Sequence, residues 1–421
     1  MLEITQRKVP DASVPVPGSK SLTNRGLAIG ALARGETVLT GALVCEDTLR
    51  LVEAVRSLGL EVAVDEARSE VRVSGGDGSF PVRRAYLDVG ASGTALRFLT
   101  AMTALASGSF VIDGTPRLQR RPVGSLCAAL RALGAEIYAT GAGGAPVVSQ
   151  PGNLAGGRVT VPADVSSQFT SALLLIGPCL PGGLSVRMTG RAVSAPYLDM
   201  TEDIMTAFGA RVLRPAEDRV AADGGGYAGR SYAIEGDATA ASYLFAAAAV
   251  TGGRVRVTNL PESSRQGDLK ILAVLEEMGA TVERTPEGPE VRGPVTRGVD
   301  VDLRDAPDLV PTVAAVGMTV PGQTVIRGVP HLRVKESDRI ETTVEAVRAL
   351  GGVASKREDG LVVEGGTVTG GEVDPVGDHR IAMAFSVLGL ATSGVRILNP
   401  GCVAKSFPCF FDVLGGLPEH A

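Results

Sequence analysis

The chain has 421 residues, 44% hydrophobic and 21% charged, with a net charge of −5 at pH 7. Such a composition is globular, and the length calls for two or three domains instead of one core. The acidic balance and an aromatic content of 4% without Trp exclude bulk binding to nucleic acid or to a membrane surface. Any anion site must therefore be a local cluster of cations.

Met1 to Pro10 carries charges and no apolar core, so no signal peptide is expected. No run of about 18 apolar residues is present, so no membrane-spanning helix is expected. The five cysteines, Cys45, Cys127, Cys179, Cys402 and Cys409, show no CxxC spacing and read as free thiols in a reducing, cytoplasmic compartment. The three histidines, His331, His379 and His420, make no HExxH pattern, and neither a metal nor a cofactor is expected.

The first informative stretch is Pro17-Gly18-Ser19-Lys20-Ser21-Leu22-Thr23-Asn24-Arg25. Pro and Gly break what precedes, Ser19 and Ser21 are N-cap candidates, and the apolar run Leu27 to Leu32 predicts a helix. A capped helix with two solvated cations would look the same. A helix N-terminus flanked by Lys20 and Arg25 would also suit a phosphate.

Further along, one signature repeats. A large apolar residue, then Gly, ends a helical pattern at Leu58-Gly59, Leu133-Gly134, Phe208-Gly209, Met278-Gly279, Leu350-Gly351 and Leu414-Gly415, at spacings of 64 to 75 residues. Amphipathic patterns such as Thr48 to Leu58 and Arg339 to Leu350 precede the first five, and the Gly is a natural helix C′ residue. A second signature alternates with it: Gly, then a β-branched strand, at Gly35, Gly108, Gly183, Gly253, Gly322 and Gly394. Six βαβαββ-like units follow, an α/β fold. Gly224-Gly225-Gly226 reads as a hairpin tip in preference to a phosphate loop.

The sixth unit lacks a closing strand, while Leu2 to Thr5 and Lys8-Val9 form an unassigned one. The N-terminal strand is predicted to complete the last unit. The domains are then 15–234, with three units, and 1–14 plus 235–421, discontinuous, with three more. The crossings fall at Pro10 to Pro17 and at Ala233 to Asp237, with a cleft expected between the domains.

Polar chemistry opens the first helix of each unit: Ser19-Lys20-Ser21, Ala91-Ser92-Gly93-Thr94, Asp164 to Gln168, Glu235-Gly236-Asp237, Asp305 to Asp308, and Gly377-Asp378-His379-Arg380. Any one is ordinary capping. Six in equivalent places point to helix N-termini gathered toward a cleft. Loops after the second signature add Arg117, Arg120 and Arg121, then Arg191, Arg333 to Arg339, and Lys405. Clustered guanidinium groups suit carboxylate and phosphate.

These stretches, in this order, resemble the 5-enolpyruvylshikimate-3-phosphate synthases along the whole chain. The resemblance rests on Gly18-Ser19-Lys20-Ser21 with Arg25, Ser92-Gly93-Thr94, Arg121-Pro122, Ser166-Ser167-Gln168, Ser194 with Tyr197, and Glu235-Gly236-Asp237. It continues through Pro307-Asp308, Arg333 to Arg339, Asp378-His379-Arg380 and Lys405. It implies two similar domains, each of three βαβαββ units in an inside-out α/β barrel, with an interdomain active-site cleft. It implies transfer of enolpyruvate from phosphoenolpyruvate to the 5-hydroxyl of shikimate 3-phosphate. Asp308 and Glu336 would be the acid/base pair, with Lys20 a second candidate. Lys20, Gly93, Arg121, Gln168, Arg339, Arg380 and Lys405 would hold phosphoenolpyruvate. Lys20, Ser21, Arg25, Ser166, Ser167, Gln168, Ser194, Tyr197, Asp308, His331 and Lys335 would hold shikimate 3-phosphate.

The chain departs from the family at three places. Ala91 replaces an Asn, Phe98 a Pro, and His331 aligns with an Asn that touches the shikimate moiety. Glyphosate is an expected inhibitor, since Gly93 is kept. A monomer is expected, with no nucleic-acid or membrane partner. The rivals are a UDP-N-acetylglucosamine enolpyruvyl transferase, whose loop carries a Cys absent between Pro116 and Pro122, and a non-catalytic anion-binding homologue.

Overall fold

The computed structural model describes residues 1–9 and 11–417; His420 and Pro10 lie outside the described residues. The chain divides into two compact units, Gly18–Ile234 and Met1–Pro17 with Glu235–Ala421. Among the described residues Gly18–Ile234 carries three four-stranded sheets, and the other unit carries two four-stranded sheets and one of three strands.

The second repeat shows the plan. Strand Arg84–Asp88 leads into helix Gly93–Ala104, then strand Ser109–Asp113, helix Gly124–Ala132, and the hairpin Glu136–Ala139 and Val147–Gln150. The first two strands pair parallel, as a helical crossover requires, and the hairpin adds antiparallel. The strand of the Gly-β-branched signature is the second in its repeat and lies inside the sheet each time: Arg34–Thr40, Ser109–Asp113, Leu184–Thr189, Arg254–Val257, Gln323–Arg327 and Val395–Ile397.

The punctuating glycines act as expected in five repeats. Gly59, Gly134, Gly209, Gly279 and Gly351 take φ of 79° to 107° after their helices, a conformation that favours Gly. The sixth differs: Gly415 lies inside helix Phe410–Gly416. Gly224–Gly226 is no hairpin tip. It follows strand Arg219–Ala222, and the Gly225 and Gly226 N–H groups both donate to Pro178 O.

Strand exchange at the N-terminus completes two repeats. Leu2–Glu3 pairs antiparallel with Val395–Ile397, so the N-terminal strand does close the truncated sixth repeat. Lys8-Val9 is not a strand. Instead Asp11–Val14, inside the Pro-rich segment, pairs parallel with Arg254–Val257 as the first strand of the fourth repeat. The first repeat takes its own first strand from Ser231–Ala233, which pairs parallel with Arg34–Thr40.

In each unit the first helices of the three repeats pack on one another: Lys20–Leu32, Gly93–Ala104 and Ser167–Ile176 in one, Ala238–Thr251, Val310–Met318 and His379–Ala391 in the other. They are apolar or small nearly all round and almost wholly buried. The second helices, such as Glu46–Ser57 and Arg339–Ala349, present one buried stripe. Because the first helices form the core, the polar groups at their starts are drawn together with them.

Candidate active site

In the unit Gly18–Ile234, side-chain caps fix the starts of all three core helices. Ser19, Ser92 and Ser166 accept from the N–H groups of Leu22, Ala95 and Gln168. Ser21 sits inside the first helix and does not cap it. Lys20 donates to Asp47 at 3.2 Å, both nearly buried.

Arg25 is 1% exposed and links two candidates, Ser21 and Tyr197, to Thr201. Its guanidinium donates to Ser21 O at 2.9 Å, Tyr197 O at 3.0 Å and Thr201 Oγ1 at 2.8 Å. Burial lowers it to about 10, with Tyr197 opposing. Phe98, where the family often has Pro, lies beneath it with the ring centroid 5.7 Å from Cζ. Ser194 is non-glycine with φ +57°, a costly conformation that places it beside the start of helix Pro196–Ala207.

Gln168 is held from two sides: it accepts from Arg97 at 2.6 Å and donates to Thr94 Oγ1 at 3.0 Å. Arg97 also donates to Pro122 O, joining the second helix start to the Arg121-Pro122 turn. Arg97 is not among the residues the motifs mark, and its place one turn past Gly93 is the signal for it. The Arg121 guanidinium lies against Gly93, where an added Cβ would stand 2.5 Å from Cζ. Gly at 93 therefore makes room for Arg121 itself.

In the other unit the candidates form one bonded junction. Arg339, 1% exposed, donates through Nη1 to Asp308 at 2.7 Å, through Nη2 to Glu336 at 2.9 Å, and through Nε to Asp378 at 2.9 Å. Arg380 bonds the other oxygen of Asp308 at 2.6 Å, and Lys405 lies 3.6 Å from Glu336. Asp378 caps helix His379–Ala391 while accepting from Ser337 and Arg339. Asp338 caps helix Arg339–Ala349. The fifth repeat differs: helix Val310–Met318 has no side-chain cap, and Asp308 just before it is committed to Arg339 and Arg380.

Burial alone would raise the Asp308 carboxyl. Arg380, then Arg339 and Lys335, outweigh burial and hold it well below the usual carboxylate range, against Glu336. His331 is 7% exposed, and neither ring nitrogen has a hydrogen-bond partner among the described residues. Burial first, then Lys335, push it down to about 3 against Asp308, so the imidazole is neutral at pH 7.

Asp268 is a carboxylate the sequence did not single out. It is buried and accepts from Thr239 Oγ1. Burial, then Asp308, push it up to about 7, with Arg380 and the Thr239 bond opposing. The folded protein therefore binds this proton more tightly than the unfolded chain does. The associated stability is full below the ordinary carboxylate value and is lost as pH rises through about 7. Asp308, shifted the other way, contributes no slope in that window. Asp268→Asn is expected to flatten the fall in unfolding free energy between about pH 4 and pH 7. A slope equal to the parent's in urea unfolding contradicts this.

Comparison with known proteins decides the family. The model of the family described as EPSP synthase (3-phosphoshikimate 1-carboxyvinyltransferase) matches residues 4–414. The chain belongs to the EPSP synthase family. A relative named 3-phosphoshikimate 1-carboxyvinyltransferase from Methanoculleus marisnigri is 42% identical over 419 residues, 99% of each chain. One of the same name from Nostoc punctiforme is 40% identical over 404 residues, 95% of each. A solved EPSP synthase from Acinetobacter baumannii has TM-score 0.80 and 31% identity, covering 98% of this chain and 97% of its own. As in that family, the architecture is mixed α/β built from repeated strand–helix units. The UDP-N-acetylglucosamine rival loses ground: Cys127 is fully buried, and burial pushes its thiol up to about 11.

Proposed function

We infer that this EPSP synthase family member transfers the enolpyruvyl group of phosphoenolpyruvate to the 5-hydroxyl of shikimate 3-phosphate, releasing phosphate, in the shikimate pathway to aromatic amino acids. The observation that carries the reading is the junction at Arg339. Two carboxylates suited to proton transfer, Asp308 and Glu336, share three cations suited to a carboxylate and a phosphate. Addition requires the hydroxyl to lose a proton and the vinyl carbon to gain one; elimination reverses both.

In this reading Asp308 takes the hydroxyl proton. Glu336 gives a proton to the vinyl carbon and takes one back, with Lys20 a second acid/base group. Lys20, Gly93, Arg121, Gln168, Arg339, Arg380 and Lys405 hold phosphoenolpyruvate. Shikimate 3-phosphate is held by Lys20, Ser21, Arg25, Ser166, Ser167, Gln168, Ser194, Tyr197, Asp308, His331 and Lys335. Arg25 serves it chiefly by fixing Ser21 and Tyr197. Without substrate Asp308 is a poor base, because Arg380 and Arg339 stabilise its anion. A donor anion that draws those cations to itself raises the proton affinity of Asp308, so the base strengthens once the donor is bound.

The test is phosphate release from phosphoenolpyruvate with shikimate 3-phosphate and, separately, with UDP-N-acetylglucosamine. Release with the first alone supports the reading; release with the second alone, or with neither, removes it. Arg121→Ala is expected to weaken phosphoenolpyruvate binding by about 2–5 kcal/mol; unchanged KM and turnover take Arg121 out of the site. Glyphosate is expected to compete with phosphoenolpyruvate, and inhibition curves without competition would refute that. The five free thiols suit a reducing compartment, and among the described residues no helix is long and apolar enough to cross a membrane. The reading is of a cytoplasmic monomer, which sedimentation checks for oligomeric state.

A further inference from the structure

The sheet of the third repeat carries positive charge with little to match it. Its strands Gly157–Pro162, Leu184–Thr189 and Arg219–Ala222 alternate buried valines with outward residues, so Arg158, Thr160, Ser185, Arg187 and Arg219 share one face. Arg187 lies directly opposite Arg219 in an antiparallel pair, an arrangement of like charges that costs stability. Asp218 bonds Arg187 at 2.9 Å. The side chains of Arg158 and Arg219 have no ion pair or hydrogen bond among the described residues.

In four other sheets an outward strand arginine is paired with an acid. Arg72 meets Glu70 at 2.8 Å, Arg327 meets Asp300 at 2.6 Å, and Arg396 meets Glu372 at 3.3 Å. In the fourth sheet Arg254 also faces an arginine, Arg292, yet Glu290 bonds both Arg254 and Arg256. The third sheet has a shape to go with its charge. Together with helix Gly124–Ala132 its outward face forms a cleft of about 560 Å³, to which Ser125, Thr160 and Ser185 add hydroxyls. That volume lies in the range of small-molecule sites.

We propose that this cleft binds a small phosphorylated polyanion, a metabolite carrying a diphosphate or two phosphate groups, at a site separate from the residues assigned to the two substrates. Each guanidinium can present two N–H groups to one phosphate. A phosphate between Arg187 and Arg219 would offset the repulsion between them.

The test is calorimetric titration of the full chain with inorganic pyrophosphate, using the parent, the Arg158→Ala/Arg219→Ala double variant, and Arg121→Ala. The parent is expected to bind, the double variant to bind at least about tenfold more weakly with unchanged turnover, and Arg121→Ala to keep the cleft's affinity. Binding that survives in the double variant but is lost in Arg121→Ala places the anion among the substrate ligands and overturns the proposal. Absence of binding to the parent at millimolar pyrophosphate also overturns it. Citrate in a parallel titration distinguishes the anion class: citrate bound where pyrophosphate is not would overturn the phosphate assignment.

Discussion

Arg339→Leu is expected to lower folding stability by about 3–5 kcal/mol, measured by urea unfolding at neutral pH. The guanidinium is 1% exposed and is shared by Asp308, Glu336 and Asp378. Leu fills part of the volume but leaves Asp378, itself fully buried, without its charged partner. Asp378 also caps helix His379–Ala391, so its displacement would loosen a core helix of its unit. Arg380 still partners Asp308, and Lys405 still lies near Glu336, so the loss should centre on Asp378. A loss below about 1 kcal/mol would mean that the three carboxylates do not depend on this cation.

Glu336→Gln should lower kcat by about 10²–10⁴ while leaving the Kd of shikimate 3-phosphate nearly unchanged. Gln matches the shape of Glu and keeps an oxygen for the Arg339 Nη2 donor, which Glu336 now accepts at 2.9 Å. What it loses is the ability to carry a proton to the vinyl carbon. Normal turnover would remove Glu336 from the acid/base role. A large loss of shikimate 3-phosphate affinity with turnover preserved at saturation would make it a binding group instead.

Much of the architecture was legible because the chain repeats its punctuation. Glycine after a helix and serine or aspartate before one have local causes, and five of the six Gly residues adopt the left-handed turn their position implied. The need for a closing strand in the sixth repeat was a counting argument, and Leu2–Glu3 meets it. Asp11–Val14 was not legible. It is four residues long, flanked by prolines, and its partner lies at Arg254–Val257, so only tertiary pairing makes it a strand.

The candidate site divides in the same way. Asp308, Glu336, Arg339, Arg380 and Lys405 could be named from motifs, but not their direct bonding to one another, because residues from two repeats meet there. Asp268 could not be named at all: an acid at the start of a helix carries no local sign that it will be buried beside another carboxylate.

The exchange of first strands bears on how the molecule is made. Residues 11–14 are translated well before the strand they pair with, Arg254–Val257. The Gly18–Ile234 unit, by contrast, contains every strand of its own three sheets and can complete them as soon as Ser231–Ala233 emerges. Synthesis thus delivers one finished half while residues 11–14 still wait, unpaired, for the other.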